Sequence, residues 1–179
     1  YQNSDKTPLQ TETQALLRPS LPLWILLSFL LVASSARPGA GSDTPGHLDL
    51  VALGFDPVEE PSTDLTIGSA EFAVASLAAQ ASDPDLAALL GNVEAFSLRQ
   101  FTPPNDATLL AAQSLAASIS TDGWLLVQAE AQGTRQVTVH IKLDGVMVGG
   151  LTIMALDPGR EVSIANVVGN IPPQQLATL

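Results

Sequence analysis

"QVTVHIKLDGVMVGGLTIMALDPGREVSIANVVG", residues 136–169, reads as three strands joined by two turns. Its first part alternates: Val137, Val139, Ile141 and Leu143 fall on one face, with Gln136, Thr138, His140 and Lys142 on the other. Strict alternation marks a half-buried strand. The expectation is that the apolar set faces the core and that His140 sits on the surface, neither catalyst nor ligand. "LDGV" at 143–146 is a two-residue hairpin signal and "DPGR" at 157–160 a second turn. Between them, 146–156 is apolar or small on both faces, as a central strand should be. Gly149-Gly150 there allows a bulge or the close approach of a neighbour. In 161–169, Val162, Ile164 and Val168 share a face with one amide, Asn166.

Working outward, "WLLVQAEA" (124–131) adds a strand before this block, and "NIPPQQLATL" closes the chain with a proline-started helix that packs Leu176 and Leu179. Gly169 is expected to free the chain to turn there. Upstream, "DLTIG" (64–68) is a strand and "SAEFAVASLAAQA" (69–81) a helix capped by Ser69. "SDPDLAALLG" (82–91) is a second helix, with Asp83 as cap, Pro84 at its first position and Gly91 ending it in the left-handed region. "VEAFSLRQF" (93–101) alternates as a strand. In 102–120, behind a capping Asn105 or Asp106, Leu109, Ala112, Leu115, Ala116 and Ile119 make one helical stripe. Helices mixed with strands and then a meander define an α+β domain: an antiparallel sheet with a C-terminal strand meander and helices packed on one face.

The remainder of the chain is organised differently. Residues 1–20 form a disordered N-terminal extension. "LPLWILLSFLLVA" (21–33) is apolar over 13 residues, short of the roughly 20 that span a bilayer. Arg18 precedes it and small residues follow through Ala36, the order of a signal peptide occupying 21–36 and cut before Arg37. An uncleaved membrane anchor and a buried helix are the alternatives. The Gly-, Pro- and Asp-rich stretch 37–61 reads as a flexible linker with one short ordered piece near Leu48–Leu53, leaving 62–179 as a single α+β domain.

Composition narrows the function classes. Beyond residue 37, four bases stand against 16 acids, a field that repels a phosphate backbone and excludes nucleic acid as a partner. With no cysteine there is no disulfide framework, thiolate metal site or cysteine nucleophile. The two histidines, His47 and His140, cannot supply a zinc ligand cluster. No G-x-S-x-G elbow, phosphate loop or dinucleotide fingerprint is present. Asp83 and Asp85 are explained by helix-start chemistry, Glu59 and Glu60 by linker solvation. No cofactor is implied, and an enzyme is not expected. Asn166 is the residue to question. Either it is a hydrogen-bonder in a pocket, or it ties its strand to neighbouring backbone or caps the last helix. An unpaired amide on a buried face costs about 1–3 kcal/mol.

The chain also resembles a bacterial family catalogued as domain of unknown function 4252. The resemblance rests on Gly123-Trp124 opening the meander, "LDG" at 143–145, Asn166-Val167-Val168-Gly169, Ile171 and Gln175-Leu176, and covers 62–179. Many relatives carry an acidic residue where this chain has Pro172-Pro173, and some are lipoproteins, which a cysteine-free chain is not. The resemblance implies a signal sequence, an Ala/Leu-rich helical part and a strand meander, with Trp124, Asn166 and Gly169 as motif residues of unknown role. It implies no activity. The resulting expectation is an exported, non-enzymatic interaction module of the periplasm or cell surface, with a protein partner in the envelope. Membrane contact is expected only if 21–33 stays uncleaved. The alternatives are a small-ligand-binding protein or hydrolase with its site on the open sheet face, and a membrane-tethered accessory domain.

Overall fold

A computed structural model describes residues 44–176. After an irregular stretch at 44–62, the elements run β1 (Thr63–Gly68), α1 (Ser69–Ala79), α2 (Pro84–Gly91), β2 (Val93–Phe101), α3 (Asp106–Thr121), β3 (Leu125–Gln132), β4 (Arg135–Asp144), β5 (Met147–Asp157), β6 (Glu161–Ile171) and α4 (Pro173–Leu176). The strands make one open sheet in the order β1-β2-β6-β5-β4-β3, antiparallel throughout. This is the expected α+β fold, with β3 to β6 as its meander. The segments assigned to 1–20 and 21–36, and Leu179, lie outside the described residues.

Local chemistry sets most of the element ends. The Asp83 carboxylate accepts the Leu86 N–H at 2.9 Å with Pro84 at the first helical position, and the Asn105 side chain accepts the Thr108 N–H at 2.8 Å. Gly68, rather than Ser69, caps α1, its N–H donating to the Glu71 carboxylate at 3.2 Å. Gly91 stays helical, and α2 closes one residue later at Asn92 (φ −98°). The two hairpin turns need a left-handed residue, and Gly145 (φ 61°) and Gly159 (φ 76°) provide it.

The sheet has two unlike faces. On one, Phe101, Met154, Leu156, Val162 and Ile164 are buried in a single core with Ala112, Leu115 and Ile119 of α3. Leu48 and Phe55 complete that core, and the Phe55 ring meets Phe101 edge-on at 5.9 Å between centroids. The stretch expected as linker is therefore partly a structural layer. Burying an aromatic side chain such as Phe55 is worth about 2–3 kcal/mol, enough to hold an irregular segment against the sheet. Glu59 pins it further, accepting the Thr108 hydroxyl at 2.7 Å and the Asn105 N–H at 3.1 Å. Those bonds hold its carboxyl below the usual glutamate range. At one end of the sheet, α1 packs against α2 and both touch β2.

Candidate functional site

Register places five polar side chains in one row across the covered face: Thr66 of β1, Ser97 of β2, Asn166 of β6, Thr152 of β5 and His140 of β4. Asn166, only 3% exposed, is the centre of this row. Its Oδ1 accepts the Leu48 N–H at 3.1 Å. Its Nδ2 donates to the Gly46 carbonyl at 3.1 Å, the Thr152 hydroxyl at 3.1 Å and the Leu151 carbonyl at 3.3 Å. An amide so engaged has no donor left for a ligand. It works as a latch that fastens residues 46–48 across the sheet, and it does not cap α4.

Trp124 lies in the same buried core as Leu48. Lys142 Nζ lies 5.7 Å from its ring centroid, and a Cβ on Gly150 would sit 2.8 Å from its Cη2 and against the Gly46 carbonyl. Gly46 in turn lies against the Gly149 backbone at φ 84°. The glycine pair thus serves the close approach its sequence suggested, beside a register shift between Val148 and Gly150. Gly169 stands apart from this cluster. It lies inside β6 rather than at a turn, and a Cβ there would run into the Asn92 carbonyl that accepts the Asn170 N–H at 2.9 Å. The structure therefore brings Trp124 and Asn166 to one segment and leaves Gly169 at the end of α2.

His140 corrects the expectation of a surface residue. It is 2% exposed, although on the same face of β4 Gln136 is exposed and Thr138 and Lys142 are half-buried. Burial pushes its pKa down, and Nδ1 has no hydrogen-bond partner among the described residues. Its imidazole is enclosed. Beside the latch, where β1 and β2 extend past the packed layer, a cleft of about 360 Å³ opens between His47, Leu50 and Val51 and a floor of Thr66, Ser97 and Arg99. Arg99 is answered by Asp64 at 3.5 Å, so the cleft offers an anion no unopposed charge. Among the described residues no three His, Asp or Glu side chains gather as a metal site. None of the described helices is long and apolar enough to cross a membrane.

The opposite sheet face is the feature that sequence reasoning missed. Two cross-strand rows cross it: Leu65, Leu98, Ala165, Ile153, Val139 and Gln128, then Ile67, Phe96, Val167, Leu151, Ile141 and Leu125, with Ile67 at the β1 end already buried. Eleven of these twelve positions are apolar. Over Leu151–Leu156 of β5 and Val162–Val168 of β6 each residue on the α3 side is buried, while its neighbour on this face is only half-buried. Leu125, at the outer edge, is exposed. The lower rim is polar, with Glu161, Asp157 and Arg135. The available signal was β5, apolar on both faces, which requires something to cover each side. No family model, curated protein or solved structure matches the chain.

Proposed function

We propose that this chain is an exported, non-enzymatic interaction module of the bacterial envelope, related to the domain of unknown function 4252 family, and that the open apolar sheet face is its working surface. The observation that carries the reading is the pair of apolar rows, half-buried across β2, β6, β5 and β4, with Ile67 at the β1 end buried. Surface patches of this size are rare on proteins that act alone, and they mark sites of association. The side chains that could do chemistry are otherwise engaged: Asn166 is saturated by hydrogen bonds, His140 is enclosed and Arg99 is paired with Asp64. Export is supported by the signal-like order of residues 18–36.

Two measurements test this together. Cell fractionation with protease accessibility should find the protein outside the cytoplasm, its N-terminus beginning near Arg37. In-cell photocrosslinking from Leu151 or Ile153 should capture protein, while a probe at Asp85, on the capped start of α2, should not. Cytoplasmic recovery would overturn the export half. Equal capture from both positions would overturn the interaction half.

A further inference from the structure

We infer that the cleft between residues 47–51 and strands β1 and β2 binds a free aliphatic α-amino acid, held as its zwitterion. The cleft lies on the α3 side of the sheet, so this site does not depend on the open face being an association surface.

The register orders the cleft floor from mouth to back. Asp64 of β1 stands beside Arg99 of β2 and then Ile164 of β6, while Thr66, Ser97 and Asn166 follow one another in the neighbouring row. Asp64 and Thr66 are exposed at the mouth, whereas Ile164 and Asn166 at the back are each only 3% exposed. Three strands about 4.8 Å apart make this path about 10 Å long, room for a head group and a side chain of about four carbons. The cleft volume of about 360 Å³ falls at the lower end of the roughly 300–1,000 Å³ usual for small-molecule sites.

Charge selects the head group. Arg99 and Asp64 meet at 3.5 Å with no hydrogen bond between them, and neither side chain hydrogen-bonds elsewhere among the described residues. The Thr66 and Ser97 hydroxyls likewise have no partner among the described residues. Asp49, on the wall, already accepts the Ala52 N–H at 3.0 Å, and His47 beside it adds a hydrogen-bonding ring. A lone carboxylate would face Asp64 and a lone ammonium would face Arg99, so each meets a like charge. An α-amino acid carries both charges about as close together as Arg99 and Asp64, and one head group answers the pair.

Shape selects the side chain. The wall and back are aliphatic, with Leu48, Leu50, Val51, Ile164 and Val168. Phe96 belongs to the opposite sheet face with Ile67 and Val167, so a flat ring finds no phenyl or indole to stack on. A branched aliphatic side chain gains by burial there.

Isothermal titration of the full chain tests the site with three probes. These are L-leucine, isocaproate (the same skeleton without the ammonium) and isopentylamine (without the carboxylate). Leucine should bind about tenfold or more tightly than either analogue, because each has lost one charge-assisted contact. Asp64→Asn should make the chain favour isocaproate over leucine, and Arg99→Gln should make it favour isopentylamine. Leucine that fails to bind, or binds no better than its analogues, overturns the proposal, as does an unaltered order of preference in either variant. An Ala-Leu dipeptide that binds more tightly than leucine overturns it in favour of a peptide end. Should the variants fail to fold, amide NMR shifts of the wild type under leucine decide. Shifts gathered at Thr66, Ser97 and residues 47–51 support the site, and shifts elsewhere overturn it.

Discussion

At the scale of single residues, Asn166 and His140 divide the work of the buried polar row. Asn166→Ala would leave the Leu48 N–H, the Gly46 carbonyl and the Thr152 hydroxyl without their partner inside the core. The expected loss is about 3 kcal/mol, read from denaturant midpoints at unchanged slope. If Asn166 were a free ligand-binding group, the substitution would cost little stability. His140 gives a pH signature instead. Its folded pKa lies below the ordinary 6.5 because burial disfavours the cation. Well above pH 6.5 both folded and unfolded chains carry a neutral ring. As pH falls through 6.5 the unfolded chain takes up a proton that the folded one resists, so stability declines until the folded pKa is reached. His140→Leu should flatten that decline between about pH 7 and 5 in urea titrations. An equally steep decline in the variant would show that other groups cause it.

At the scale of elements, most of the architecture was legible in the sequence. Strand and helix positions followed from alternation, capping residues and the two Gly turns, because these signals are local. What remained hidden was which face of the sheet the helices cover. Alternation in β4 shows that its two faces differ, yet the one buried side chain of the strand is His140, on the polar face, while Val137, Val139 and Ile141 are only half-buried. The buried Asn166 was visible by parity with Val162 and Ile164; its partners Leu48 and Gly46, more than a hundred residues upstream, were not. The 44–61 stretch misled for a related reason. Its Gly and Pro content suits a linker, whereas its anchors are only a few residues, Leu48, Phe55 and Glu59. Phe55→Ala should therefore cost about 3–5 kcal/mol, as for an aromatic removed from a core, and a change below 1 kcal/mol would return the stretch to a linker. Gly169→Val tests the β2–β6 junction in the same way. A side chain there must displace the Asn92 carbonyl, so thermal unfolding should fall well below that of a Val167→Ala control.

At the scale of the whole molecule, a chain of net charge −11 carries two apolar rows that contain no charged residue. Association through those rows is driven by burial, which salt screening does not weaken. A contact held by ion pairs fades instead as the screening length falls from about 10 Å at 0.1 M to about 3 Å at 1 M. In cell extracts, crosslinking from Ile153 should therefore keep its yield as sodium chloride rises from about 0.1 to 1 M. A yield lost in high salt would place the energy in the rim around Glu161, Asp157 and Arg135 and remove the apolar rows from the account.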